Sequence, residues 1–263
     1  MVSVNKIVKG CSMNKKVYIL IGVFILIYFS ISGIANFYID LEWFSIHNGT
    51  SIFWTLFSTK LLVYILFMLL FIFLFSLNFL LIRLLGGKSR IFANKLINKI
   101  QIPTVGSPKR AAIIILIAIV LFMGLIMGNY AASHWKECLS YFYSVPFTGF
   151  QPDPVFGKDI SFYVFSLPFY NLLYGWFIST FIIILIFSVI FHVINGGIFI
   201  GITWMEFSLF ARTRLSILLA LLVCIYGLSY KLSAYDLLFS KIGKFYGAGY
   251  TALHANLYAY NVA

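Results

Sequence analysis

Charge is what this sequence has least of. Only 10% of its 263 residues are Asp, Glu, Lys or Arg, against about a quarter in soluble domains. Meanwhile 62% are hydrophobic and the mean hydropathy is +1.00. A chain so poor in charge cannot clothe a water-facing surface, which excludes a soluble globular domain and implies an integral membrane protein. Acids are scarcer still: 7 stand against 19 lysines and arginines, for a formal charge of +12. The cations punctuate apolar runs and share no face with stacking aromatics, so no nucleic-acid partner is expected. Cysteine is almost missing. Cys11, Cys138 and Cys224 occupy three different chain environments without a CxxC pair, which suggests neither a disulfide framework nor a zinc site. Val8-Lys9-Gly10-Cys11 has the outline of a lipoprotein cleavage box, but no apolar segment precedes it as a signal. P-loop, HExxH and GxSxG motifs are absent, and no apolar span contains a carboxylate. No catalytic residue, metal or cofactor is therefore expected.

What is present is long apolar sequence. Crossing about 30 Å of hydrocarbon takes about 20 helical residues. Charge-free stretches of that order predict an all-α, polytopic transmembrane helix bundle of about five spans plus interfacial helices. The spans are expected at about 17–39, 61–82, 111–131, 171–194 and 213–231. The first is too long for the apolar core of a signal peptide and reads as retained. Lys60 and Arg83 bracket the second and can snorkel. The fifth has only 16 charge-free residues between Arg214 and Lys231. A 46-residue charge-free region, 160–205, is cut by Pro168 and by Gly196-Gly197. Residues 198–210, too short for a span and containing Glu206, are expected as an interfacial helix, as is the basic amphipathic segment 91–100. No internal repeat is visible in the sequence.

The charges test this arrangement independently. With residues 1–16 as a basic cytoplasmic N-terminus, 13 of the 19 cations and Glu206 alone fall on the inner side, while six of each sign fall outside. That asymmetry obeys the positive-inside rule and predicts a multi-pass membrane protein with its C-terminus outside. The expected partners are the lipid bilayer and, for the basic face, anionic headgroups.

Three of the six prolines gather in the stretch Pro152-Asp153-Pro154-Val155-Phe156-Gly157-Lys158-Asp159 and its continuation to Pro168. Pro154 and Gly157 impose turns, and Phe162 and Tyr163 suit a half-wet headgroup zone. The loop is expected to re-enter the membrane and lead into the fourth span at Pro168, in the helix's first turn. Asp153, Lys158 and Asp159 are expected to form an ion-paired knot that clamps it; ligand or metal binding is the alternative. His134 and Glu137 share a helix face, as an interfacial pair beside Trp135 or a metal-ligand pair. His192 is expected to bond a carbonyl near a helix end, the alternative being a proton relay. Asn48-Gly49-Thr50 matches a glycosylation acceptor but is too short a pattern to weigh.

The order and spacing of three motifs carry a resemblance. They are Leu41-Glu42-Trp43-Phe44, the 153–170 stretch, and Gly247-Ala248-Gly249-Tyr250-Thr251 with His254-Ala255. Together they resemble the UPF0182 family of bacterial and archaeal membrane proteins. The resemblance implies an N-terminal multispan region followed by a large extracytoplasmic domain, and names no activity. Two positions depart from the pattern: Ala252 stands where an aspartate is expected, and the chain stops at Ala263 where a further span is expected. Residues 232–263, rich in tyrosine and leucine, are expected to be an external aromatic tail leading into that span, covered by a further protein segment or subunit. The functional expectation is a membrane anchor or scaffold presenting extracytoplasmic loops or a downstream domain. A subunit or fragment of a transporter or channel is the alternative.

Overall fold

A computed structural model describes residues 15–85, 110–147, 149–194, 197–200, 205–239, 241–242 and 245–262. The chain is a membrane-type helix bundle. Its helices are α1 (Lys15–Ile46), α2 (Thr50–Leu85), α3 (Arg110–Ser133), α4 (Trp135–Phe142), α5 (Leu167–Ile194), α6 (Leu209–Asp236) and α7 (Leu257–Val262). Among the described residues, four helical segments are long and apolar enough to cross a membrane: Thr50–Ile82, Ile114–Ser133, Phe162–Val193 and Leu209–Asp236. Helix α1 covers the first expected span, 17–39. Two antiparallel ribbons interrupt the helices, β1 (Ile198–Ile200) with β2 (Met205–Phe207) and β3 (Lys241–Ile242) with β4 (Phe245–Tyr246). The expected amphipathic segment at 91–100 lies outside the described residues.

By compactness the chain divides into residues 1–58 and 59–263. In the first unit, α1 turns back into α2 through Asn48, whose positive φ of 54° is an αL conformation asparagine tolerates. Gly49 donates its N–H to Phe44 O at 2.8 Å, closing the turn. Phe37 meets Phe53 and Phe57 edge-on at 5.3 and 5.2 Å.

In the second unit, the core follows a four-residue beat on two helices. Val63, Phe67, Phe71 and Phe75 form a buried ridge on α2; Leu172, Trp176, Thr180, Ile184, Ser188 and His192 form another on α5. Residues four apart lie on one face of a helix, so each series makes a continuous ridge that can seat in a facing groove. The ridges meet edge-to-face, Phe67 on Trp176 at 5.1 Å and Phe75 on Phe187 at 5.5 Å. Helix α3 approaches more closely. Gly124 and Gly128 form a GxxxG pair, and a Cβ added at Gly128 would stand 2.9 Å from the Tyr64 carbonyl oxygen. Lipid is as apolar as leucine, so such helices associate by close packing and not by leaving water.

Three differences from expectation have physical causes. Over its described residues, the interfacial helix expected at 198–210 is instead the β1–β2 ribbon followed by the start of α6. Ile-Phe-Ile-Gly-Ile-Thr-Trp is β-branched, aromatic and glycine-interrupted, which favours a ribbon, and Ser208 Oγ caps α6 by accepting from Ala211 N at 3.2 Å. Second, Pro168 sits in the first turn of α5 as expected, but the helical path into the fourth span starts earlier. The chain is helical from Ile160, and residues Phe162–Ser166 form a π-turn closed by Leu167 N–H bonding Phe162 O. Proline lacks an N–H and crowds the carbonyl four residues back, and this wider turn precedes it.

Third, an internal structural repeat exists where none was visible. Each landmark of the α5 lead-in recurs 90 positions on: positive-φ Gly157 and Gly247, the π-turns at Phe162–Ser166 and Ala252–Asn256, then α-helix from Leu167 and Leu257. Tyr258 stands where Pro168 does, so the π-turn does not depend on proline. With only a glycine, a leucine and a later Tyr-Asn pair (Tyr170-Asn171 and Tyr260-Asn261) shared, the repeat is chiefly one of backbone shape.

Candidate functional site

The 153–170 loop is built around one half-buried carboxylate. Asp153 Oδ1 accepts from Val155 N at 3.2 Å, and Oδ2 accepts from Phe156 N at 2.6 Å and from the Tyr163 hydroxyl at 2.9 Å. The first two bonds are an Asx turn: the side chain satisfies backbone donors that Pro154 and the following bend leave without carbonyl partners. The backbone closes the same loop, with Asp153 N bonding Lys158 O and Gly157 N bonding Asp153 O, both at 2.8 Å. Gly157 holds a φ of +64°, a conformation an L side chain takes at a cost.

Asp159 does different work. It precedes the helix that starts at Ile160, and its Oδ1 accepts from Ser161 N at 2.7 Å and from Phe147 N at 3.4 Å. It is a helix cap, where a negative charge also meets the positive end of the helix dipole. The Ser161 hydroxyl and N–H hold its carboxyl below the usual aspartate value, Phe147 N–H contributing less. Among the described residues, Lys158 pairs with neither aspartate. Its Nζ lies over the Phe162 ring, 5.5 Å from the centroid. The expected ion-paired knot is thus a hydrogen-bonded one.

Aromatic rings join this knot to three helices. Tyr235 of α6 meets Phe156 at 4.7 Å and Phe162 at 5.2 Å, while Tyr141 of α4 stacks on Phe169 at 4.3 Å. Asn171 Nδ2 of α5 donates to both Asp236 oxygens of α6, at 3.3 and 3.2 Å. The assembly is a clasp at one end of the bundle. Tyr163 is buried; Pro168 lies half-buried in the first turn of α5. Tyr235, Asn171 and Asp236 were missed from sequence because their partners lie on distant elements. A tyrosine four residues past the end of the expected fifth span was the only signal for Tyr235.

The tail motif stands apart. Gly247 has a φ of +135°, Gly249 O accepts from Leu253 N at 3.1 Å, and exposed Tyr250 stacks on His254 at 4.0 Å. Thr251 is exposed and caps nothing with its side chain. Trp43 packs against Phe44 and His47 at the end of α1, at 5.0 and 4.6 Å. His134 Nδ1 contacts Glu137 Oε1 at 3.2 Å, both partly exposed. No group of three or more metal-type side chains exists among the described residues. Cys138 is buried, and burial followed by the Glu137 charge pushes its thiol up, away from a reactive thiolate.

The profile of an uncharacterised protein family, UPF0182, matches residues 17–263, nearly the whole chain. The chain belongs to the UPF0182 family. A UPF0182 protein of Frankia casuarinae is 30% identical over 242 residues, covering 91% of this chain and 23% of its own length. Another, from Trichodesmium erythraeum, is 29% identical over 250 residues, 93% of this chain and 26% of its own length. A third, from Saccharopolyspora erythraea, is 38% identical over 136 residues, 51% of this chain and 14% of its own. The UPF0182 chain therefore spans about a quarter or less of the curated relatives it matches. No solved structure matches it.

Proposed function

We propose that this region is a membrane-embedded scaffold that holds extracytoplasmic loops, or a downstream external domain, in register with the bilayer. The observation that carries this reading is the use of the Asp153 and Asp159 oxygens. Each carboxylate is engaged by the loop's own N–H and hydroxyl groups, and the surrounding rings tie that loop to α4, α5 and α6. Groups so occupied hold a shape and have little capacity to take a ligand. The reading assigns no catalytic step to the region. It places the chain in the prokaryotic plasma membrane with its N-terminus in the cytoplasm, its basic face on anionic headgroups, and a further protein segment over Tyr250 and Tyr258. The charge asymmetry and the exposure of those two rings, 78% and 73%, support those placements.

One observation favours a second reading, a transporter or channel subunit. The buried ridge of α5 carries Thr180, Ser188 and His192, and Asn78 of α2 donates to Ser188 Oγ at 2.7 Å. Solute and ion flux through proteoliposomes separates the two. The scaffold predicts leakage equal to that of empty vesicles; a flux abolished by Asn78→Leu in a folded protein would establish the transport reading instead.

A further inference from the structure

At the opposite end of α5 and α6 from the clasp, the β1–β2 ribbon closes a tightly knit corner. Gly197 N bonds His192 O at 2.7 Å, Ser208 N bonds Gly197 O at 2.8 Å, and Ser208 caps α6. Ser208, Ile198 and Ala211 are all buried there. His192 is 2% exposed, its ring edge-on to Phe210 at 5.8 Å. Arg214 lies one turn beyond Phe210 on α6, on the helix face that Phe210 turns toward His192.

These two side chains hold an unmet demand. His192 Nε2 and Arg214 Nε and Nη2 are the only buried side-chain nitrogens or oxygens without a hydrogen-bond partner among the described residues. Arg214 is half-buried, but arginine stays charged, and guanidinium nitrogens buried with no carboxylate paired to them among the described residues are disfavoured. The two unpartnered arginine atoms lie on one edge of the guanidinium, the edge whose parallel N–H groups grip two oxygens of a phosphate or carboxylate. His192 Nε2 can supply a third donor, and the amino end of α6 adds the positive end of its dipole.

We propose that His192 and Arg214 form a binding site for a phosphate group, taken from an anionic phospholipid headgroup or from solution. Phosphate suits the site better than carboxylate because it offers oxygens to the arginine edge and to the imidazole at once. The exposed Arg212, half a turn from Arg214, attracts anions to the surface but has no part in the grip. The site is independent of the clasp and of whether the bundle is a scaffold or a transporter.

The test uses the 1–263 chain with 13C-labelled histidine. The His192 resonance is assigned by its loss in His192→Gln, and spectra are recorded in phosphate-free detergent and in phosphatidylcholine nanodiscs. The site predicts a shift of the His192 signal, and a rise in Tm, on adding inorganic phosphate or on replacing part of the lipid by phosphatidylglycerol. A response to phosphatidylglycerol alone identifies the headgroup as the source; a response to inorganic phosphate alone identifies a solute. Arg214→Lys keeps the charge but loses the two-pronged edge and should weaken binding about tenfold. Arg214→Gln should abolish the response, and Arg212→Gln should leave it intact. No His192 response to either probe, or a wild-type response in Arg214→Lys, overturns the site even if Arg214→Gln fails to fold.

Discussion

Asp153 and Asp159 sit six residues apart in one loop, yet they answer different backbone problems and their variants should fail differently. Tyr163→Phe removes one of three donors to Asp153 and should cost about 1 kcal/mol, whereas Asp153→Ala strands two N–H groups and a buried phenol and should cost about 1–3 kcal/mol. Thermal unfolding in detergent orders the two; equal losses would mean that the phenol bond alone matters. Asp159 adds a pH signature. Its carboxyl is held below the ordinary 3.8, so the folded loop favours the ionised form. The cap's contribution is complete above 3.8 and drains away as pH falls below that value through the lowered one. Protease sensitivity of the loop should therefore stay flat from neutral pH to about 3.8 and rise only below it, and the onset should vanish in Asp159→Asn. An onset near pH 6 would assign the loop's stability to other groups. The turn itself was legible from Pro154 and Gly157. The ion pairing expected from Lys158 did not form because local N–H groups reach the carboxylates with little entropy to lose, and a lysine side chain has much.

Helices were legible where length alone decides them and illegible where a neighbour decides them. Apolar runs located α2, α3, α5 and α6, but α2 begins at Thr50 and α6 at Ser208's cap, because helices continue through the interfacial zone on polar residues that hydropathy discounts. The same blindness hid Gly124 and Gly128, whose meaning lies in what α2 places opposite them. Gly128→Ala puts a methyl group against the Tyr64 carbonyl, 2.9 Å away on a backbone that cannot swing aside as a side chain can. The crossing must open, and the expected loss is about 1–3 kcal/mol. Gly227→Ala is the matched control: nothing lies within 4 Å of that added carbon, so it should be neutral or slightly stabilising through helix propensity. Equal Tm values for the two variants would show that the α2–α3 crossing is looser than its geometry.

Across the whole molecule, membrane character was the easiest property to read, since scarcity of charge leaves no other solvent for the surface. The 90-residue echo between the α5 and α7 lead-ins was the hardest, because a positive-φ glycine and a π-turn constrain backbone shape while leaving most side chains free. The echo bears on orientation. Both lead-ins follow a long helix and a loop, α3 with α4 before the first and α6 before the second. With α5 parallel to α2 but antiparallel to α3 and α6, α3 and α6 run the same way and, by the echo, α5 and α7 return. That puts Lys158 and the clasp at one end of α5 and Arg212 at the other, and the charge asymmetry predicts that the Arg212 end faces the cytoplasm. The prediction is tested in a protein whose three native cysteines are replaced by serine. A cysteine at Lys158 should react with an impermeant maleimide on intact cells, and one at Arg212 only after permeabilisation. Neither position is buried, so a failure to label reports sidedness and not burial. Labelling of both from outside would remove the α5 crossing, and the reverse pattern would invert the molecule and carry the proposed phosphate site to the outer leaflet.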